Sequence, residues 1–377
     1  MLVIAIFAYR LTGSAFLVTM LTMIRMLPMF LFGAFFGVAV DVVQGRMALL
    51  VSCIVLFLTS AAVALLAYGD HLAIWHVAVA TFISGTVWST DNPLRRLMIG
   101  RVVGSDHMAN AMALDAGSNN ASRIIAPVIG GIVLAQWGLA GCFALGAGLY
   151  VIAIAAALGI RHRNQVTSGE MSLMLKNVLE GFGFAIRDKA ILGIFSITLI
   201  FNIFGWPILS LVPVIGQDNF GLEPRGIGIL ASMEGLGAIA GALAMFVFGR
   251  AEFYPKLYVY SVAIYLVALM AMVLLPGASL AGLALLTAGF CGAGFGVAQS
   301  TLVFRSVKPQ LRGRMLGLLS VSVGSGPIGF VQIGLLADAL GPQLAIVASA
   351  AEGLTAVLLT RQLWRNIEVQ TERHALS

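Results

Sequence analysis

The chain has 377 residues, of which 60% are hydrophobic and only 10% are charged, and its formal net charge is +6. A soluble domain carries roughly a quarter of its residues as charged side chains, so the composition excludes a soluble enzyme or binding module. The positive charge forms no basic stripe with interleaved aromatic residues, which excludes a nucleic-acid partner. The composition predicts an all-α integral membrane protein in contact with the lipid bilayer.

Apolar runs long enough to span a bilayer recur along the chain. A spanning helix needs about 20 mostly apolar residues. Eleven runs meet that length: 14–40, 47–68, 72–94, 109–136, 139–160, 190–216, 226–249, 257–275, 279–303, 314–337 and 342–363. Residues 1–9 are also apolar but reach only about 13 Å. We interpret them as the second half of a first helix, truncated at its N-terminus, with a short interfacial segment as the alternative.

Basic residues collect in the loops that share one side of the membrane. If the N-terminal side of the first helix is cytoplasmic, the loops and ends on that side hold eighteen of the 22 basic residues, and the opposite loops hold two. This bias follows the positive-inside rule. We therefore predict a multi-pass protein of the bacterial inner membrane with a cytoplasmic C-terminus.

The longest polar stretch, residues 161–189, divides the spans into two groups of six. Its second part has apolar residues at helical spacing, which is typical of an amphipathic helix at the membrane surface. We predict an N-terminal six-helix bundle at 1–160, a cytoplasmic linker at 161–189, a C-terminal six-helix bundle at 190–364 and a cytoplasmic tail at 365–377.

With residues 1–9 counted as the first span, the fifth and eleventh predicted spans are 109–136 and 314–337. These two spans, with their flanking loops, resemble each other at an offset of 200 to 203 residues. The matched positions are Met108 and Leu311, Pro127 and Pro327, and Gly138 and Gly341. Duplicated six-helix units are common in transporters, where the substrate binds between the halves near the bilayer midplane. We predict two bundles related by a pseudo-two-fold axis, with chance similarity between glycine-rich helices as the alternative.

The loop after the second span carries Gly37, Asp41, Gly45 and Arg46. This pattern resembles the loop signature G-x-x-x-D-[RK]-x-G-[RK]-[RK] of the major facilitator superfamily. The first basic residue and the second glycine of the signature are replaced here, and Gly45 lies one position late. Physically, glycine allows close helix approach, and the Asp41 and Arg46 side chains can latch one conformation of a carrier. An ordinary capped turn is the alternative.

The fifth span carries Ser122, Ala126, Pro127, Gly130 and Gly131. The pattern resembles the G-x-x-x-G-P-x-x-G-G element of exporters in the same superfamily, with small residues replacing two glycines. Small residues at four-residue spacing permit close packing, and proline bends a helix. The alternative is a kinked packing helix without directional meaning.

Segments 9–15, 25–28, 108–114 and 311–315 are similar to bacterial exporters of the enterobactin-exporter and macrolide-efflux type. The resemblance covers nearly the whole chain. It implies the major facilitator fold and proton-driven export of a small drug-like or siderophore-like substrate by a monomer, with no cofactor other than the proton gradient.

Charged side chains inside the spans are costly in lipid and therefore mark functional positions. Arg25 lies midway along the second span, Asp115, Asn119 and Arg123 follow at four-residue steps in the fifth, and Glu234 lies in the eighth. We predict that these residues face a central cavity, where a carboxylate that gains and loses an arginine partner couples proton movement to transport. Static ion pairs that fix helix register are the alternative.

Three further side chains are candidates for the substrate cavity: Asn202, Trp206 and Gln299. Amide side chains inside membrane helices also hold helices together, and tryptophan also marks membrane interfaces, so both alternatives stay open. The chain contains neither a nucleotide-binding loop with its lysine nor an HExxH or GxSxG motif, which argues against an ATP-driven pump and an intramembrane enzyme. We predict no enzyme and no metal site. A non-transporting scaffold or sensor with the same fold is the alternative function.

Overall fold

The computed structural model describes residues 1–42, 45–103, 107–160, 188–306, 319, 322–365 and 367. Almost all of these residues are helical, and no strand occurs among them. In chain order the helices are α1 (Leu2–Thr12), α2 (Ala15–Val42), α3 (Gly45–Tyr68), α4 (Ile74–Val103), α5 (Met108–Leu158), α6 (Lys189–Ile200), α7 (Val212–Asp218), α8 (Pro224–Phe248), α9 (Tyr254–Leu274), α10 (Ala278–Ser306), α11 (Gly326–Leu340) and α12 (Pro342–Leu359).

Helix length and apolarity confirm a membrane-spanning bundle. Within the described ranges, eight helical segments are long and apolar enough to cross a bilayer, and Leu2–Thr12 and Gly326–Leu340 are shorter apolar helices. The predicted span 72–94 is confirmed as part of helix α4, which is not among those eight. The reason is physical: α4 is 30 residues long but has a mixed composition, including Asp91 and Arg95 near its inner end.

The predicted fifth and sixth spans are two helices that join at Gly138 without an intervening loop, and together they make up α5. Gly138 has φ 63° and ψ −164°, and it separates the arms 108–137 and 139–158. Gly341, between α11 and α12, has φ 83° and ψ 157°. This region of backbone space is essentially restricted to glycine. The two glycines that the internal repeat aligns therefore make the same one-residue turn.

The predicted span 190–216 is a helix with an irregular middle. Asp188 caps its start by accepting hydrogen bonds from the backbone N–H groups of Ala190 and Ile191. After α6 the chain continues as a π-helical turn at Phe201–Gly205 and a 3-10 segment at Trp206–Leu211, and then as α7. Pro207, which lacks a backbone N–H group, lies at the change between the two irregular forms.

Packing repeats between the halves. In the first half α2 packs on α4, and α3 packs on the second arm of α5; in the second half α8 packs on α10, and α9 packs on α12. Across the halves α5 contacts α8 and α2 contacts α11. The first arm of α5 is equivalent to α11, and α2 is equivalent to α8. The α5–α8 contact is therefore the symmetry equivalent of the α2–α11 contact. The predicted two-bundle fold with pseudo-two-fold symmetry is therefore confirmed.

The halves meet at the end of the molecule that carries the turns at Gly138 and Gly341. We call it the outer end, following the predicted orientation. Among the residues that the structure describes, contacts across the halves run from this end to the middle of the bundle. They include the hydrogen bond of Tyr9 Oη to Asp218, the packing of Thr19 on Gly334, the packing of Gly131 on the Pro224 carbonyl group, and the packing of Gly228 on the Pro127 carbonyl group.

Several predicted segments lie outside the described residues. The linker 161–189 is described only from residue 188, and the predicted span 314–337 only at residue 319 and from 322 onward. Of the tail 365–377, residues 365 and 367 are described. The domain boundaries stay predictions.

Candidate functional site

A cavity of about 310 Å³ lies between the two halves. We call it the central cavity. Thr22 and Arg25 of α2 line it from the first half, and Trp206, Glu234 and Phe330 line it from the second. Trp206 and Phe330 meet edge to face, with their ring centroids 5.8 Å apart. The walls are therefore mainly apolar with a few polar groups, as in sites for small organic molecules.

A second cavity of about 400 Å³ adjoins the first and extends into the second half. We call it the side pocket. Arg123 reaches it from α5, and the remaining lining includes Phe201, Tyr265 and a row of α10 residues that contains three glycines. Trp206 and Glu234 line both cavities and so mark the border between them.

An ion pair between Arg123 and Glu234 joins the halves at this border. Arg123 Nη2 lies 2.5 Å from Glu234 Oε1, with the Glu234 side chain 16% exposed and that of Arg123 49% exposed. Arg123 is fifteen residues from the turn at Gly138, or about 22 Å along the helix, which places it near the middle of the first arm of α5. The pair can form only while α5 and α8 are in contact.

Arg25 and Glu234 occupy equivalent positions in the two halves. A side chain added at Gly85 of α4 would meet the Arg25 carbonyl oxygen, and one added at Gly289 of α10 would meet the Glu234 carbonyl oxygen. The duplicated helix pair therefore presents a cation to the central cavity from one half and an anion from the other. The Arg25 guanidinium carbon lies 5.8 Å from the centroid of the Trp88 ring, within cation–π range.

Asp115 and Asn119 lie away from both cavities. Asp115 is buried and pairs with Arg95 of α4 at 2.6 Å, and the Asn119 amide donates to the backbone oxygen of Asp115 at 2.9 Å. Of the predicted stripe, only Arg123 lines one of these two cavities, and the coupling role of all three residues stays a prediction. Each four-residue step advances beyond a full turn, so Asp115 and Arg123 differ by about 80° around the helix and face different neighbours.

Of the three cavity candidates, Trp206 lines both cavities, whereas Asn202 and Gln299 support the second half. The Asn202 amide donates to the Thr198 carbonyl oxygen, and the Gln299 amide donates to Thr198 Oγ1, each at 2.9 Å. Tyr258 completes this network by donating to the Ile194 carbonyl oxygen at 2.8 Å. For both amides the structure therefore favours the helix-linking alternative.

The loop motif is only partly described. Gly37 and Asp41 belong to α2, but their side chains lie outside the description. Gly45 begins α3 and is buried. Arg46 Nη2 donates to the carbonyl oxygen of Leu158 at 2.8 Å, which ties the start of α3 to the inner end of α5. The conformational latch predicted from Asp41 and Arg46 stays a prediction.

The surface through which α5 packs closely on α8 is shifted by one residue toward the C-terminus from the predicted small-residue motif. Ser122 and Ala126 are exposed, and Gly130 faces Val3 of α1. The face that meets α8 instead holds Arg123, Pro127 and Gly131, because Gly235, Gly228 and Pro224 of α8 lie against these residues in turn. The predicted close packing is therefore present, but its tight stripe begins at Arg123 rather than Ser122.

Sequence reasoning missed Tyr265, a side-pocket residue on α9. A tyrosine inside an apolar span carries no charge to mark it. The available signal was its seven-residue spacing from Tyr258, which places both rings on one face of the helix. Among the residues with assigned structure, no group of three His, Cys, Asp or Glu side chains could hold a metal ion.

Comparison with known proteins identifies the architecture. The transmembrane secretion effector family matches residues 4–374. The chain is 22% identical to macrolide efflux protein A of Streptococcus pyogenes over 336 residues, covering 88% of this chain and 83% of that protein. It is 20% identical to the staphyloferrin A transporter of Staphylococcus aureus (strain NCTC 8325 / PS 47) over 325 residues, covering 84% and 80%. The crystal structure of the nucleoside transporter NupG superimposes with a TM-score of 0.74 at 14% identity, covering 96% of this chain and 94% of that one, and shows the same fold.

Proposed function

We propose, from the premise that this chain belongs to the transmembrane secretion effector family of major facilitator transporters, that it exports an amphiphilic compound of macrolide or siderophore type in exchange for protons. The named relatives support the substrate class, because one is a macrolide efflux protein and another transports staphyloferrin A. The apolar cavities, lined by Trp206 and a few charges, suit such a compound.

The observation that carries the proposal is the Arg123–Glu234 ion pair. It joins α5 of one half to α8 of the other at the border of both cavities. An ion pair whose partners sit on two moving bodies exists in one conformation and is broken in the other. Two conformations with different numbers of paired charges are what an ion-coupled carrier requires.

The contacts at the outer end support an inward-facing state. In the described part of the chain, the cross-half contacts named above lie between that end and the middle of the bundle, while Arg95–Asp115 and Arg46–Leu158, nearer the inner end, stay within the first half. In this state the substrate enters from the cytoplasm, and Glu234 is ionised and paired with Arg123.

Opening the outer end separates α5 from α8 and removes Arg123 from Glu234. An ionised carboxylate without a partner is costly inside a membrane, so a proton from outside neutralises it. When the halves close again at the outer end, Arg123 returns, and the proton leaves toward the cytoplasm. One proton thus enters as one substrate molecule leaves.

The same proposal covers location and assembly. The bias of eighteen basic residues to two supports a cytoplasmic C-terminus in a bacterial inner membrane. Both cavities form within one chain, which supports a functional monomer.

The proposal is tested with inside-out membrane vesicles. Uptake of radiolabelled erythromycin and staphyloferrin A is measured with a proton gradient and after a protonophore collapses it. We expect gradient-driven uptake of at least one compound by the native protein. We expect Glu234→Gln to lose accumulation against a gradient, because an amide cannot carry the proton.

Glu352→Gln is the matched control. Glu352 lies on α12 of the same half, is hydrogen-bonded to Gln332, and lines neither cavity. We expect this variant to keep gradient-driven uptake. Full gradient-driven uptake by Glu234→Gln would refute the coupling role, and absence of transport of either compound by the native protein would favour a scaffold or sensor.

A further inference from the structure

Helix α9 carries two buried tyrosines, Tyr258 and Tyr265. The hydroxyl group of Tyr258 forms hydrogen bonds within the protein, whereas that of Tyr265 forms none with the described residues. Tyr258 donates to the Ile194 carbonyl oxygen at 2.8 Å, and its oxygen lies 2.7 Å from Thr198 Oγ1. Tyr265, seven residues later, is only 2% exposed, and its buried hydroxyl has no hydrogen-bond partner in the part of the chain that the structure covers. Burying a hydroxyl group without a partner is unfavourable, so this group is available for a partner that the protein itself does not supply.

The Tyr265 ring forms a wall of the side pocket. Its centroid lies 4.8 Å from that of Phe201. A Cβ atom added at Gly205 would lie 3.2 Å from one edge of the Tyr265 ring, and one added at Gly292 would lie 3.6 Å from the opposite edge. The ring therefore stands between two glycine backbones, and its hydroxyl is held by packing rather than by hydrogen bonds.

The side pocket that Tyr265 lines has open space along α10. Gly296 lines the side pocket, and a Cβ atom added there would meet nothing within 4 Å. Gly289, two turns earlier, differs because its added Cβ would meet the Glu234 carbonyl oxygen. The glycine at 289 thus serves helix packing, while the space at 296 belongs to the pocket.

We infer that the side pocket receives an uncharged ring portion of the transported compound, whose carbonyl or ether oxygen accepts a hydrogen bond from Tyr265. This inference rests on the proposed function. The ligand portion is uncharged because Arg123 and Glu234, the charges that line this pocket, are paired with each other. It is an acceptor because a phenol hydroxyl donates hydrogen bonds more strongly than it accepts them, and the rest of the ring portion is apolar because aromatic rings and glycines form the walls.

Tyr265→Phe removes only the hydroxyl group. Equilibrium binding of radiolabelled erythromycin, whose lactone ring carries carbonyl groups, is measured on the full chain in lipid nanodiscs. We expect the Kd to rise about fivefold, the equivalent of one neutral hydrogen bond. We expect the melting temperature to stay unchanged or to rise, because no protein hydrogen bond is lost.

Tyr258→Phe is the matched control on the same helix. It loses the hydrogen bond to Ile194, so we expect a lower melting temperature and a Kd for the folded protein within about twofold of the native value. A Tyr265→Phe variant that binds erythromycin like the native protein would show that water alone satisfies the hydroxyl, and would overturn the inference.

Gly296→Leu tests the space itself. The added side chain enters the side pocket without a backbone collision, and we expect at least a tenfold loss of erythromycin affinity in a folded protein. Gly148→Leu is the control, since Gly148 is exposed on α5 and its added Cβ also meets nothing within 4 Å. Equal losses in both variants would contradict the inference. A native protein that binds no erythromycin overturns the macrolide part of the proposed substrate class and the inference together, whereas native binding with unaffected Tyr265→Phe and Gly296→Leu variants overturns the inference alone.

Discussion

A methyl group at Gly228 tests whether the α5–α8 contact holds the outer end closed. The Cβ atom of Gly228→Ala would lie 3.2 Å from the Pro127 carbonyl carbon and closer to its oxygen. Carbon atoms ordinarily approach to about 3.5–4.0 Å, so the two helices must separate by up to about 1 Å. Overpacking of this kind costs about 1–3 kcal/mol. Because Gly228 and Pro127 lie in different halves, this cost falls on the outward-closed state.

A cost of 1–3 kcal/mol shifts the ratio of the two conformations about 5- to 150-fold. The reporter is Ser210→Cys, a position that lines the central cavity, in a chain whose three native cysteines are replaced by alanine. Whole cells are treated with a membrane-impermeant maleimide, and the labelling rate is measured. We expect Gly228→Ala to raise this rate in proportion to the outward-open population.

Gly237→Ala is the matched control on the same helix. Its Cβ would meet the Leu286 carbonyl oxygen on α10, within the same half, so it strains the bundle without favouring either conformation. We expect it to lower thermal stability and to leave the labelling rate unchanged. An unchanged rate in Gly228→Ala, or an equal rise in Gly237→Ala, would refute the assignment of this contact as an outer closure.

Two further predictions follow from the same structure. Tyr9→Phe loses the hydrogen bond to Asp218 across the outer end, so we expect about fivefold faster external labelling of the same reporter, and a rate equal to that of the native chain would contradict it. Gly138→Ala and Gly341→Ala force a side chain into a backbone region restricted to glycine, so each is expected to destabilise the protein by about 1–3 kcal/mol in a denaturation assay, whereas Gly148→Ala at an open helical position is expected to be neutral.

The fold was predictable because lipid imposes a simple rule on the sequence. Each span must be apolar over about 20 residues, so the spans can be read from the sequence, while the orientation that the basic loops indicate stays a prediction. The internal repeat was predictable for a related reason. Its aligned glycines, Gly138 and Gly341, occupy a backbone conformation that other residues rarely adopt.

The partners of the charged residues were less predictable, because helical spacing does not fix which neighbouring helix a residue faces. The four-residue steps from Asp115 to Arg123 suggested one shared surface. The real partners, Arg95 and Glu234, lie on helices packed against different sides of α5. The irregular turns after Phe201 were likewise hidden, although Pro207 marked the place where a regular hydrogen-bond ladder could not continue.

The change from a π-helical turn at Phe201–Gly205 to a 3-10 segment at Trp206–Leu211 has a mechanical consequence. A wide turn followed by a tight one lets α6 and α7 remain in nearly the register of a continuous helix. Trp206 is the first residue of the tight segment and lines both cavities, so a change in the balance between the two helical forms would reorient its indole relative to both cavities.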